Sequence, residues 1–238
     1  MYKIIAILFS VIFYLSFGLL LLIFHGIQVI ALNLFGYQAH KVSVDILNFF
    51  LLRCLNLLGA RIHFNNPFDL PTNRPLIIVA NHQNTFDIPP LIWHLRKHHL
   101  KFVSKKELGK GIPSVSYNLR NGGSALIDRK KTRKAVDEID RHAQLLSKNN
   151  WSTLIFPEGT RSRTGELIEF RPGAFRLATK SKKDIVVFKF TGMNKHKWYH
   201  LKRITCTLEF FPMIKYEEYK DMTTQELSDM VRNIILEG

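Results

Sequence analysis

The sequence predicts an α/β fold in which a single mixed or mostly parallel sheet is flanked by helices and preceded by an N-terminal membrane-associated helical segment. Three observations carry that prediction. Residues 4–24 form an uncharged apolar run, short apolar runs alternate with amphipathic helical patterns over residues 76–236, and polar clusters follow directly on three of those short runs.

The first run, IIAILFSVIFYLSFGLLLLIF from Ile4 to Phe24, holds 21 residues. At ~1.5 Å per residue that length crosses a ~30 Å hydrocarbon layer. No Lys, Arg, Asp or Glu stands between Lys3 and Lys41. A signal peptide usually has a shorter apolar part ending in a small-residue cleavage site. A globular helix averages ~10–14 residues and keeps a polar face. Next, VSVDILNFFLLRCLNLLGA over residues 42–60 places Asp45, Asn48, Arg53 and Asn56 in one arc of a helical wheel. Such a helix lies in the membrane interface or packs against the domain. The Asn- and Pro-rich stretch 65–75 separates membrane-anchoring helices over residues 1–64 from a globular domain over 65–238.

Within that domain the runs LIIVA (76–80), LKFVS (100–104), SALI (124–127), TLIF (153–156), IVVFKFT (185–191) and ITCTLEF (204–210) predict strands. Helices are expected over 88–97, over 131–148 with Val136, Ile139, Ala143 and Leu146 as its apolar stripe, over 173–181 and over 223–236. The last opens with Thr223 and Glu226 at capping-box spacing.

Charge narrows the class of partner. The chain carries 34 Lys and Arg against 19 Asp and Glu, a net charge of +15, and residues 1–70 hold four of the basic and two of the acidic side chains. An anionic partner follows: nucleic acid, an anionic lipid surface or a phosphorylated substrate. The apolar segment favours lipid. The basic stretches also lack the interleaved aromatic pattern of RNA-stacking motifs, so no nucleic-acid partner is expected. Basic charge gathers on the cytoplasmic side of membranes, which puts the domain on the cytoplasmic face of the inner membrane. Two cysteines, Cys54 and Cys206, make neither a disulfide framework nor a zinc-finger spacing.

Three polar clusters leave three predicted strands: Asn81-His82-Gln83-Asn84-Thr85-Phe86-Asp87, Asp128-Arg129, and Pro157-Glu158-Gly159-Thr160-Arg161. Ligands of open α/β sheets bind at the carboxyl ends of strands, so the clusters converge on one cleft. On one helix, His82 and Asp87 would stand about 140° apart. They can meet only across a strand-to-helix bend. A carboxylate on one imidazole nitrogen fixes the tautomer and leaves the other nitrogen to take a proton, which makes a general base. Asp87 as a helix N-cap beside a hydrogen-bonded turn histidine is the competing reading. No G-x-S-x-G elbow supplies a nucleophile, so the attacking hydroxyl belongs to the substrate. Arg129 and Arg161, each just past a strand end, suit phosphate, whereas Arg163 reads as a surface ion-pairing residue. His94, His98 and His99 lack a carboxylate or thiolate cluster, so no metal is expected.

Asn81-His82-Gln83-x-x-x-Asp87, Gly123-x-x-Leu126-Ile127-Asp128-Arg129 and Phe156-Pro157-Glu158-Gly159-Thr160-Arg161-Ser162 resemble the first three sequence blocks of the glycerolipid acyltransferases, in order and spacing. The bacterial 1-acylglycerol-3-phosphate (lysophosphatidic acid) acyltransferases are the most similar branch. The likeness spans about residues 75–192. The fourth block departs: Ile185 to Gly192 lacks the usual proline and includes Lys189, and Leu126 stands where the second block often has Phe.

The resemblance implies a glycerol-3-phosphate acyltransferase-like fold. It also implies transfer of a fatty acyl chain from acyl-CoA or acyl carrier protein to the sn-2 hydroxyl of lysophosphatidic acid, with no cofactor and with both lipids drawn from the phospholipid bilayer. His82 would be the base and Asp87 its orienting partner. Arg129 and Arg161 would bind the acceptor phosphate, with Glu158, Gly159 and Thr160 forming the turn that presents Arg161. The alternatives left open are acylation of another lysophospholipid or of glycerol 3-phosphate, and a membrane-anchored nucleic-acid-binding protein.

Overall fold

The computed structural model describes residues 2–65, 70–162, 164–195 and 203–238. Arg163 lies outside the described residues.

Helix α1 (Tyr2–Leu57) opens the chain and is long and apolar enough to cross a membrane. One residue interrupts it. Gly36 has φ 80° and ψ −171°, left of what an L side chain adopts comfortably, and the chain turns back there. Leu21 and Phe24 of the first arm pack with Leu47 and Leu51 of the second, and Phe13 packs with Cys54, Leu55 and Leu58. Rising numbers on one arm meet falling numbers on the other, so the arms are antiparallel. The helix expected over 42–60, read as interfacial or as packed on the domain, is therefore the second arm, and it packs. Its Val44 also joins the core under the sheet. Outward, the first arm shows an almost unbroken apolar surface that includes Ile4, Leu8, Leu15, Leu19, Leu22, Ile30 and Leu34.

Among the described residues, seven strands form one mixed sheet: β1 (Ala60–Asn65), β2 (Ile77–Ala80), β3 (Lys101–Lys105), β4 (Ala125–Ile127), β5 (Thr153–Ile155), β6 (Ile185–Thr191) and β7 (Ile204–Phe210), in the order β1-β7-β6-β2-β5-β3-β4. Strands β6, β2, β5, β3 and β4 are mutually parallel. β7 runs antiparallel to β6, and β1 is parallel to β7. All six expected strands form. β1 is an addition, because its six residues were read as the end of the membrane-proximal segment and the start of the linker. The sheet thus begins at Ala60, within the stretch assigned to the anchor.

Alternation along β2 explains the layering. Ile78 and Ala80 face a core shared with α2 (Ile88–His94) and β7, while Ile77 and Val79 face a second core with α4 (Thr132–Asn149), α5 (Arg176–Ser181) and α7 (Thr224–Glu237). β2 is buried at every position, as a strand covered on both faces must be. Pro89 and Pro90 fall in the first turn of α2, where the missing N–H groups have no helical partner to lose. The Thr223–Glu226 capping box forms, with Thr223 Oγ1 accepting from the Glu226 N–H at 3.2 Å. Helix α3 (Pro113–Asn121), rich in Ser and Asn, went unpredicted. It exists by packing: Ser114 Oγ donates to Gln28 Oε1 of α1 at 2.9 Å. A short α6 (Tyr216–Tyr219) completes the set.

Candidate active site

β2, β5, β3 and β4 are mutually parallel neighbours, so the residues that follow β2, β4 and β5 emerge at one edge of the sheet. After Ala80, the side chain of Asn81 turns back and bonds the backbone of Phe190 in both directions, Oδ1 accepting from N–H at 2.6 Å and Nδ2 donating to C=O at 2.9 Å. This fastens the end of β2 to β6 and starts the turn. Asn84 then accepts from the Phe86 N–H at 3.2 Å and heads the 3-10 turn Thr85–Asp87, which leads into α2.

Asp87 closes the turn. Its Oδ2 lies 2.9 Å from His82 Nδ1 and accepts the backbone N–H groups of Gln83 and Asn84, each at 2.8 Å. Asp87 is fully buried, whereas the His82 side chain keeps 17% of its surface exposed. Of the two readings of the pair, the helix-cap one does not form, since Asp87 makes no side-chain cap bond to α2. Two backbone N–H groups and His82 Nδ1 converge on one carboxylate oxygen, and with Nδ1 carrying the proton toward Asp87, Nε2 is left as the accepting nitrogen. The imidazole stacks on Phe156, the residue after β5, with centroids 4.1 Å apart and planes at 18°.

Glu158 supplies the second support. Its Oε1 accepts the His82 backbone N–H at 2.6 Å and its Oε2 the Ile168 N–H at 3.3 Å. Burial pushes its carboxyl up, and the two backbone bonds oppose that shift. The bond from Ser162 N–H to His82 C=O at 2.7 Å closes the same loop pair from the other side.

The basic residues surround this turn. Arg129 Nη1 donates to Gly159 C=O at 2.6 Å, and Arg161 Nη1 donates to Thr85 Oγ1, two residues before Asp87. Arg161 therefore borders the His82 loop directly, and Arg129 borders the adjoining Glu158–Gly159 turn that braces it. Thr160 is exposed between them in sequence. Gly159 has φ +69°, and a Cβ there would stand 2.8 Å from Arg129 Nη1 and 2.9 Å from Arg171 Nε. Only a glycine lets two guanidinium groups flank the turn so closely. Arg171 is thus a third cation at the site, and Arg129 is held below the usual arginine range first by burial and then by Arg171. Sequence spacing could not reveal it, because Arg171 follows no strand and reaches the turn through its own N–H bond to Pro157 C=O at 2.9 Å.

In the fourth block, Lys189 of β6 stands opposite Glu209 of β7 in register. Opposite charges thus face each other across the strand pair at this half-buried position.

The sequence profile of the acyltransferase family matches residues 61–190. The chain is 30% identical over 192 residues to the 1-acyl-sn-glycerol-3-phosphate acyltransferase of Escherichia coli, covering 77% of this chain and 74% of that one. It is 27% identical over 214 residues to the 1-acyl-sn-glycerol-3-phosphate acyltransferase alpha of Ovis aries, covering 88% and 74%. The crystal structure of the 1-acyl-sn-glycerophosphate (LPA) acyltransferase from Thermotoga maritima has the same fold, with a TM-score of 0.79 at 22% identity over 100% of this chain and 96% of that one. A profile match over more than half the chain, laid on a sheet whose strand ends carry the three blocks, shows that this chain belongs to the acyltransferase family.

Proposed function

We propose that the protein acylates the sn-2 hydroxyl of lysophosphatidic acid, taking the fatty acyl chain from acyl-CoA or acyl carrier protein and releasing phosphatidic acid and the free thiol. The observation that carries this reading is the 2.9 Å contact between His82 Nδ1 and Asp87 Oδ2 at the end of β2, beside the turn that Arg129 and Arg161 flank. The names of the relatives supply the acceptor class.

In this mechanism His82 Nε2 takes the proton of the acceptor hydroxyl as its oxygen attacks the thioester carbonyl carbon. The C–O bond forms, the carbonyl π bond opens to an oxyanion, and the imidazolium is stabilised by Asp87. Collapse of the tetrahedral intermediate breaks the C–S bond. The proton on Nε2 passes to the departing sulfur, so imidazole is regenerated and no acyl-enzyme forms. General-base assistance of this kind contributes ~10²–10⁴ in rate. Arg129 and Arg161 grip the acceptor phosphate through charge-assisted bonds, and the acyl donor is the only other small molecule required. The apolar arm of α1 keeps the enzyme on the bilayer where both lipids reside, sparing extraction of a chain at ~0.8 kcal/mol per CH₂. The basic charge of the domain favours the cytoplasmic face.

The test is an assay of the purified full chain with one acyl thioester and a panel of acceptors: lysophosphatidic acid, lysophospholipids with larger headgroups, and glycerol 3-phosphate. Lysophosphatidic acid is expected to lead, and His82→Ala to abolish turnover while remaining folded. Full activity in a folded His82→Ala protein, or preference for another acceptor, overturns the assignment.

A further inference from the structure

The first arm of α1 is not the sole place where large apolar side chains meet solvent. Outside α1, those of the described residues exposed by more than a third are Leu108 (52%), Ile112 (53%), Val115 (39%) and Leu236 (50%). Three of these four fall within eight positions, on the 3-10 turn Lys106–Gly109 and the start of α3. Lys105, Lys106 and Lys110 are exposed among them. Glu107 is the one acidic residue between Lys101 and Ile127.

The segment is held in place. Gly109 is buried, with Leu126 Cδ1 lying 2.8 Å from where a Cβ would be, and Arg120 donates to its carbonyl. The backbone is pinned inward at Gly109, so Leu108 and Ile112 are left outside for a reason other than slack. The segment is also tied to the anchor: Ser114 bonds Gln28 with both residues buried, and the Tyr117 ring lies 5.5 Å from that of His25 and 6.0 Å from that of His40. Gln28 belongs to the stretch of α1 whose outer side exposes Ile23, Ile27, Ile30 and Leu34.

We infer that Leu108, Ile112 and Val115 enter the headgroup and upper acyl region of the same bilayer that receives α1, with Lys105, Lys106 and Lys110 on anionic headgroups, making a second membrane contact carried by the catalytic domain. Apolar residues beside lysines on a short amphipathic segment are the composition of an interfacial element. Attachment of the segment to α1 at Gln28, between the exposed Ile27 and Ile30, selects a bilayer as the occupant over a soluble partner. The inference rests on the reading of α1 as membrane-embedded. Its use is positional: the segment leaves β3 where Lys105 pairs with Ile127 of β4, two residues before Arg129, so it would bring the lipid surface to the rim of the site where the acceptor phosphate is held.

The experiment uses the full chain with the two buried free cysteines replaced, Cys54→Ala and Cys206→Ala. Single spin-labelled cysteines are placed at Ile112, at Leu22 of α1 and at Lys148 near the end of α4. The protein is reconstituted in phosphatidylcholine vesicles with and without phosphatidylglycerol, and each label's accessibility to oxygen and to a water-soluble nickel chelate is measured. The inference expects the Ile112 label to follow Leu22 toward oxygen, more strongly with phosphatidylglycerol present. It also expects Leu108→Ser/Ile112→Ser/Val115→Ser to lose about tenfold in vesicle activity while keeping its activity in detergent micelles.

An Ile112 label that follows Lys148 toward nickel while Leu22 reads lipid overturns the inference and leaves α1 in the membrane. If Leu22 also reads water, both readings fall together. Protection of Ile112 from nickel only on adding an acidic carrier protein makes the surface a protein dock and overturns the inference as well.

Discussion

The carboxylate of Asp87 accepts three hydrogen bonds on one oxygen, and only one of them comes from His82. The other two, from Gln83 and Asn84, build the bend that lets residues five positions apart meet. One side chain therefore shapes the turn and orients the imidazole.

Replacing Asp87 with Asn should harm both. With its amide oxygen in the place of Oδ2, Asn keeps the acceptor but puts an NH2 donor where Oδ1 is buried without a partner, and a buried unsatisfied group costs ~1–3 kcal/mol. The expected outcome is a fall in kcat of ~10²–10⁴ together with a lower unfolding midpoint. His82→Ala should lose as much rate with little change in midpoint. Equal midpoints for the two variants would show that the carboxylate does not hold the turn.

Arg129→Ala and Arg161→Ala should raise KM for the phosphorylated acceptor and leave KM for the acyl thioester nearly unchanged. Bonds to charged groups are worth ~1.5–3 kcal/mol, hence about 10- to 100-fold in KM. Arg129→Lys should recover only part of the loss, because an ammonium lacks the planar fork. Steady-state kinetics varying each substrate in turn decide it, and a loss confined to the thioester would move these arginines to the donor side.

Gly159→Ala tests the crowding between Arg129 and Arg171. A non-glycine residue at φ +69° is strained by ~1–2 kcal/mol, and its Cβ would press on both guanidinium groups. The variant should show a raised acceptor KM and a modest loss of stability. Arg171→Ala should relieve part of the pressure, so the double variant is expected to be more stable than additivity of the single changes predicts.

Lys101 gives a pH-dependent prediction. It is 6% exposed, donates to Tyr37 Oη at 2.6 Å and lies 4.5 and 4.6 Å from the ring centroids of Tyr37 and Trp151. Burial, with a smaller push from Lys41 and against a pull from Asp45, brings its ammonium down from 10.5 to about 7. Between those values the unfolded chain holds a proton that the folded chain has released. Stability therefore falls as pH drops through that window, by at most ~1.4 kcal/mol per pH unit, and levels off below it. Lys101→Met removes the group, so its stability relative to the unaltered protein should rise steadily from pH 10 to pH 7. Denaturant unfolding in detergent at a series of pH values measures this, and parallel curves would falsify it.

Much of the sheet was legible because its strands are buried on both faces and read as continuous apolar runs. β6 and β7 were bounded to the residue. What escaped was structure made by neighbours. β1 follows α1 so closely that its Ala60, Ile62 and Phe64 alternation merged with the helix end. α3 has weak helical propensity and is held by Gln28. The reversal at Gly36 leaves no mark except one glycine in an uncharged run. At the site, His82, Asp87, Arg129, Glu158 and Arg161 could be placed near one another from the sequence because the residues that follow parallel strands emerge at one edge. Asn81 as a brace and Arg171 as a third cation depend on contacts 109 and 12 positions distant, to Phe190 and Gly159. No local pattern encodes these.

Phe86 sits immediately before Asp87, and its ring meets those of Phe13 and Phe17 at 5.6 and 5.4 Å. The greasy N-terminal arm thus doubles as a buttress for the reactive loop. Trimming it to obtain a water-soluble catalyst would strip aromatic backing from behind the carboxylate, so solubility and turnover are coupled in this architecture, and a gain in one should come with a loss in the other.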